Sequence, residues 1–456
     1  MERQRAVEKE LLPAVDFPDR DKQGWSLARR MTRYKVPGIG MAVVRDGRID
    51  WVAGYGTHGV VSPEPVTAST IFQAASISKM VAAAGMLSLV KKGVLELDGD
   101  VNARLSSWKV PNNEFTSGSP VTLRRLLSHS AGVTVHGFPG YAHTEALPSL
   151  VQLLTGTEPA NSPVVTVDQV PGAGYRYSGG GYEIAELLVE DVTQRPFEQV
   201  LDETVLAPLG MLHSTFVQPL PAEKADSAAR GHRFDGSQVA GGWYVYPEQA
   251  AAGLWSTPTD LARFVVELIA AFHGESERLI DRSMARAMLT RQVGNMGLGA
   301  GVHGEGDGLH FDHAGWSQGF RTYLVAYPHS RDGVVVMTNS DGGHELIREI
   351  LRSVAAVYDW PDFRMEEVSI ARLAADRLDR FSGSYEFSGA GFSVALRRER
   401  DHLVLDTPRG SRYTFYPESE TRFVALENGS RMTLVQAPDG SMSMQLWGMS
   451  GHRPEL

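Results

Sequence analysis

ASISKMVAAAGMLSLVKKG, residues 75–93, reads as one helix with chemistry at its start. Ala, Leu and Met are strong helix formers, Lys91-Lys92 suit the negative end of the dipole, and Gly93 supplies the stop. Ser76-Ile77-Ser78-Lys79 is an S-x-x-K pattern. A spacing of three puts both side chains on one face, one turn apart. A weak hydroxyl nucleophile needs that arrangement, because an amine of lowered pKa can take its proton as it attacks a carbonyl. The free amides and dipole of the first turn also favour developing negative charge. Taken alone, S-x-x-K is common, and an N-cap serine with a surface lysine would produce it. The run MVAAAGMLSLV changes the balance: so apolar a helix is predicted to be buried, and a buried Ser and Lys need partners or a task.

Two further elements carry chemistry. Gly174-Tyr175-Arg176-Tyr177-Ser178-Gly179-Gly180-Gly181-Tyr182 is a glycine-rich loop before a helix. A tyrosine held there beside a lysine ammonium can shuttle a proton; an isolated loop tyrosine would simply pack. His313-Ala314-Gly315-Trp316 closes a strand-like run, LHFDHAG. An edge-strand amide there can supply half of an oxyanion hole, with the histidine presenting a donor to a carboxylate or acyl oxygen. The plain alternative is a satisfied structural histidine.

Around these elements, residues 17–34 are predicted to form an amphipathic helix, and GIGMAVVRDGRIDWVAGYG (38–56) a hairpin turning at Asp46-Gly47. Helices are expected at 122–129, 181–194, 258–273 and 344–357, and strands at 322–327 and 333–338. The stretch 133–172, rich in Pro, Gly, His and Thr with one apolar piece at 149–154, reads as a lid or binding loop. Asp359-Trp360-Pro361-Asp362 looks like a linker. From 381 onward seven short β-type runs alternate with turns, which predicts a small up-and-down barrel.

The three elements, their order and their flanks (VRDGRIDWVAGYG, GVLELDGDV, VTLRRLLSHSAGV, HAGWSQGFRTYLVAYP) resemble the serine β-lactamase/penicillin-binding-protein superfamily. The likeness covers about residues 20–355. It points to the group with class C β-lactamases, family VIII carboxylesterases and D-aminopeptidases. That family runs S-x-x-K, then Y-x-N or Y-x-S, then K-T-G or H-x-G. The resemblance implies an α/β fold: an antiparallel sheet from the hairpin and the 310–340 strands, helices on both faces, and a mainly helical region within 95–290. It implies a hydrolase domain over 1–360 and a lipocalin-like β-barrel accessory domain over 366–456. It implies Ser76 as nucleophile, Lys79 as its base, Tyr177 as shared acid/base and His313 where relatives carry the K-T-G lysine. The backbone N–H groups of Ser76 and Trp316 would form the oxyanion hole, and Gly179, Gly315 and Trp316 would meet substrate. One departure stands out: Gly179 occupies the position where relatives often have the asparagine that binds substrate amides. With His313 for lysine, it points away from dedicated β-lactamases.

Other patterns carry less. Gly315-Trp316-Ser317-Gln318-Gly319 matches the nucleophile elbow, which needs a helix directly after it; a strand-like run follows instead. His129 reads as structural, while His136 and His143 lie in the presumed lid. The histidines show no metal-ligand spacing, so no metal and no cofactor is expected. With 54 acidic and 44 basic residues the chain carries −10 net charge, which argues against nucleic acid. The absence of cysteine excludes disulfides, thiolate zinc sites and cysteine nucleophiles. No run approaches a membrane span. The charged start, MERQRAVEKELL, is not a signal peptide, so the expected location is cytoplasmic.

The expected activity is acyl transfer to water from small-acyl esters or amides, D-configured peptides included. The alternatives are a β-lactamase, a DD-peptidase or a peptide-cyclising transacylase. From a different class comes a catalytically silent binding or scaffold protein. The oligomeric state is open.

Overall fold

The computed structural model describes residues 2–19, 24–408 and 410–453. The chain packs as two compact units, residues 36–343 and a unit drawn from both ends, 1–35 with 344–456.

The end-derived unit starts with α1 (Glu2–Lys9), β1 (Val15–Asp16) and α2 (Leu27–Tyr34). The helix predicted over 17–34 is therefore shorter. Ser26 caps it by accepting the Arg29 N–H, and the chain before it is extended, with β1 paired to residues 366–367. Residues 20–23 of that expectation lie outside the described residues.

The central unit opens with β2 (Gly38–Arg45) and β3 (Arg48–Gly59). Asp46 and Gly47 join them with φ of 49° and 72°, the doubly positive turn that matches strand twist. Next come β4 (Ser62–Pro65), β5 (Phe72–Gln73) and α3 (Ile77–Lys91). Every residue of α3 from Ile77 to Leu89 is buried, as its all-round apolarity predicts. The helical region holds α4 (Leu123–Leu127), α5 (Leu150–Thr155), α6 (Gly179–Thr193), α7 (Phe197–Leu201), α8 (Ala222–Ala225), α9 (Pro258–His273) and α10 (Arg282–Met288), interrupted by β6 (Trp255–Ser256), which pairs with β5. The long 133–172 stretch is irregular apart from α5, which carries a full capping box at Ser149 and Gln152. Then follow β7 (Gly301–His303), β8 (His310–Ser317), β9 (Phe320–Tyr327) and β10 (Asp332–Thr338). Seven strands form one antiparallel sheet in the order β4-β3-β2-β10-β9-β8-β7. α9 packs on β2, β3 and β10, and α3 meets β8 and β9.

The chain returns to the end-derived unit with α11 (Gly343–Tyr358), β11 (Glu366–Glu367), α12 (Ala375–Phe381) and a closed eight-stranded barrel. The barrel strands are β12 (Gly383–Phe387), β13 (Phe392–Glu399), β14 (His402–Asp406), β15 (Arg412–Pro417), β16 (Arg422–Ala425), β17 (Arg431–Gln436), β18 (Met442–Leu446) and β19 (Met449–His452). The sequence pattern showed seven of them. The eighth follows a two-residue turn at Trp447-Gly448, both at positive φ, which the sequence pattern does not separate from β18. Side chains such as Tyr385, Phe387, Phe415, Phe423 and Met444 fill the interior, as suits a barrel of this size.

The composition shifts near 360, but packing divides the chain at 343. Charge accounts for α11 joining the end-derived unit. Arg30 on α2 donates from Nε to Glu349 Oε2 (2.7 Å) and from Nη2 to Glu349 Oε1, and Tyr34 donates to the same oxygen (2.6 Å). Arg352 reaches the Glu427 carbonyl at 2.8 Å. Among the described residues no helix is long and apolar enough to cross a membrane.

Removing one member of a buried ion pair strands the other charge. Glu349→Ala is expected to destabilise the end-derived unit by roughly 3–5 kcal/mol in denaturant unfolding, against under about 1 kcal/mol for Glu420→Ala, which removes an exposed partner of Arg377.

Candidate active site

Ser76 sits where β5 turns into α3. Ala75, just before it, holds φ at 50°, a left-handed conformation that costs a non-glycine residue energy and persists only where neighbours enforce it. The neighbours are identifiable. Ser78 Oγ donates to the Ala75 carbonyl (2.5 Å) and accepts the Leu254 N–H (3.0 Å), while Thr322 Oγ1 donates to the Ala74 carbonyl (3.0 Å). β8 crosses the same turn at Gly315. A Cβ there would stand 2.2 Å from the Ala74 oxygen and 2.1 Å from Thr322 Oγ1, so only glycine fits. Gly315 faces this turn and is not among the residues lining the cavity.

The Ser76 side chain caps no helical amide. Lys79 Nζ instead donates to Ser76 Oγ at 3.2 Å and to the Ala251 carbonyl at 2.7 Å. The Lys79 side chain is only 2% exposed. Ala251 lies in a π-helical turn, Gln249–Gly253, whose Ala250 N–H donates to Glu186 Oε2 at 2.6 Å. Two more carboxyls, Glu183 and Glu248, are buried beside this turn. Burial pushes Glu183 and Glu186 well above the usual carboxyl range, and pushes Glu248 up to about 8. The sequence reading missed all three. Glu183 and Glu186 had a signal, two acids at i and i+3 within the apolar first turns of the helix; Glu248 in its loop had none.

The Tyr177 ring lies 5.0 Å from Lys79 Nζ and is surrounded by imidazoles. His129 is 4.2 Å away between centroids, His136 4.8 Å and His313 6.3 Å. His129 holds φ at 56° and its Nδ1 accepts the Ser178 N–H at 3.0 Å. Burial first, then Lys79, keeps His129 neutral, so it braces the tyrosine loop and carries its proton on Nε2. His313 is held the other way round. Its Nδ1 donates to the Ala314 carbonyl at 2.8 Å, and burial, then Lys79, pushes its pKa down to about 4. In that form Nε2 is an acceptor. The expected donor to a substrate oxygen is thus corrected to a neutral ring with a lone pair on Nε2.

Ser76, Lys79, Tyr177, His313 and Trp316 line one cavity of about 1000 Å³. Gly179 does not. It begins α6, donates its N–H to the His136 carbonyl at 3.1 Å, and a Cβ on it would meet the Phe138 ring at 2.8 Å. His136 and Phe138 themselves reach the cavity, so part of the 133–172 stretch is at the site. His143 instead meets Trp243 edge-on, with centroids 5.5 Å apart. Ser317 is buried and donates to Gln73 Oε1 at 2.8 Å, with β9 following it, which removes the elbow reading. Among the described residues no group of three or more His, Asp or Glu could hold a metal ion.

Comparison with known proteins decides the family. The Beta-lactamase family model matches residues 26–358. The chain belongs to the beta-lactamase family. Proteins of this fold are generally serine hydrolases. Penicillin-binding protein 4 of Amycolatopsis lactamdurans is 28% identical, covering 78% of this chain and 95% of its own. Penicillin-binding protein 4* of Bacillus subtilis is 22% identical, covering 88% and 90%. Protein flp of Staphylococcus aureus is 23% identical, and the chain spans about 60% of its length. Among solved structures, the octameric penicillin-binding protein homologue from Pyrococcus abyssi superposes with a TM-score of 0.65 at 22% identity, covering 94% of this chain and 98% of its own. D-alanine carboxypeptidase AmpC from Burkholderia cenocepacia gives 0.58 at 19%, covering 78% and 99%.

The His313 geometry has a direct readout. By ¹⁵N NMR, His313 is expected as the Nδ1–H tautomer titrating near pH 4; a midpoint at 6.5 or above would contradict the arrangement. The unfolded histidine binds its proton near pH 6.5. His313 therefore costs no stability above that pH, and stability is lost progressively as pH falls from there toward 4.

Proposed function

We propose that the chain is a serine hydrolase that acts through a Ser76 acyl-enzyme on small-acyl esters or amides. The observation that carries this is Lys79 Nζ at 3.2 Å from Ser76 Oγ, with both groups on the wall of the cavity. Ser76 Oγ attacks the carbonyl carbon while its proton passes to the Lys79 amine. The carbonyl electron pair moves to oxygen, received by the N–H groups of Ser76 and Trp316. Tyr177 protonates the leaving group as its bond to carbon breaks. Water then attacks the ester, its proton returns through the same groups, and Ser76 is released. These steps need no cofactor.

A second reading, penicillin or D-alanyl peptide recognition, draws on the names of the relatives. Against it stands His313, which is neutral where many relatives carry a lysine, so that position supplies no cation for a substrate carboxylate. An octameric homologue supports proposing a homo-oligomer as well, which native mass spectrometry tests.

Intact-protein mass after a fluorophosphonate is the experiment for the nucleophile. One adduct on the parent and none on Ser76→Ala is expected, with kcat on p-nitrophenyl butyrate falling by roughly 10⁴-fold or more in Ser76→Ala. An adduct that persists in Ser76→Ala would move the nucleophile elsewhere. No adduct on the parent would favour a binding protein on a hydrolase scaffold.

A further inference from the structure

The cavity wraps around the open edge of β8. β7 pairs only with residues 310–312, which leaves that edge uncovered by β7 from His313 onward. Side chains alternate along a strand, so β8 offers the cavity two faces. His313 and Gly315 lie on the face toward α3 and the Ser76 turn. Asp312, Ala314 and Trp316 lie on the other, and all three line the cavity. Cross-strand register puts Gly301 opposite Asp312 and Tyr323 opposite Ala314, so these share the second face, and so does His303 two residues on from Gly301.

This second face is built around one carboxylate. Asp312 Oδ1 accepts from His303 Nε2 at 3.2 Å, and Oδ2 accepts from the Tyr323 hydroxyl. Burial pushes the carboxyl up, but these two hydrogen bonds outweigh it and hold Asp312 below its ordinary range, hence ionised. Gly301 makes room for it, since a Cβ there would stand 2.2 Å from Oδ1. A carboxylate has about four acceptor directions, and two are used. Among the described residues lining the cavity, Asp312 is the one acid, and Lys79 is the one lysine or arginine. Lys79 is turned to Ser76 and Ala251. The cavity therefore has a negative group, flanked by His303, and no lysine or arginine turned toward it. The Trp316 ring shares this face, with the Arg321 guanidinium 4.8 Å from its centroid, and Met296 and Tyr246 also line the cavity.

We propose that the cavity selects acyl substrates bearing a cationic group, an ammonium or similar, which docks on Asp312 among the aromatic walls while the scissile carbonyl meets Ser76. Substrates bearing a carboxylate are disfavoured at the same place. The proposal rests on the Ser76 reading. It makes Asp312 a specificity-determining residue, where the S-x-x-K, tyrosine-loop and H-x-G elements had no role for it.

The test is a set of three p-nitrophenyl esters of matched chain length, four to six carbons in the acyl chain. They end in trimethylammonium, in its neutral tert-butyl isostere, or in carboxylate. The parent is expected to show kcat/KM in the order cation, neutral, anion, with cation over neutral roughly tenfold or more. In Asp312→Asn that ratio is expected to fall toward one and the anion-to-neutral ratio to rise. Raising salt on the parent protein should also shrink the cation preference, a readout that does not depend on the variant folding. A parent that ranks the three esters equally, or an Asp312→Asn that keeps the parent's ratios, would overturn the proposal. Neutral-ester turnover that survives Ser76→Ala would overturn the Ser76 reading instead. A parent that hydrolyses none of the three overturns both.

Discussion

The central constraint is Lys79, a lysine buried at the bottom of a cavity and shared between the Ser76 hydroxyl and the Ala251 carbonyl. A buried amine is expensive unless its hydrogen bonds are met. Both acceptors depend on distant parts of the chain. Ser76 is set by a strained Ala75, pinned through Ser78 to Leu254 and through Ala74 to Thr322 on β9. Ala251 is set by a π-helical turn that Glu186 on α6 anchors through the neighbouring N–H. The sheet, the nucleophile helix and the helix that follows the tyrosine loop thus converge on one amine.

That convergence explains the glycine at 315. The strand carrying His313 must lie against the Ser76 turn, and the backbone passes so close to the Ala74 oxygen that no side chain fits. Once β8 is there, its two faces divide the work. One presents His313 to the Lys79–Tyr177 group, and the other builds the Asp312 platform. Beside Tyr177, burial and then the lysine keep His129 and His313 neutral, so Lys79 faces no competing cation from either ring.

The sequence showed what local rules encode. An apolar run with S-x-x-K at its start, a doubly positive turn at Asp46-Gly47 and a period-two barrel pattern are each visible in a dozen residues, and each has its counterpart in the fold. What stayed hidden depends on long-range packing. Glu248 is ordinary in sequence and becomes exceptional only because it is sealed beside Ala251. Asp312 sits next to a motif histidine, and only cross-strand pairing with Gly301 shows that it faces the cavity. The resemblance implies Gly179 and Gly315 as substrate contacts; only the folded chain shows that a Cβ on one would meet Phe138 and on the other the Ala74 carbonyl. The late start of α2 and the missed β19 are boundary effects, where a cap and a two-residue turn outrank periodicity.

The most direct measurement is a crystal structure of the protein after reaction with a phosphonate, which places a tetrahedral oxyanion mimic on the nucleophile. The account predicts phosphorus bonded to Ser76 Oγ and the phosphoryl oxygen roughly 2.7–3.1 Å from the backbone nitrogens of both Ser76 and Trp316. Lys79 Nζ should remain on the Ala251 carbonyl. A phosphoryl oxygen turned away from β8, or phosphorus on any other residue, would contradict it.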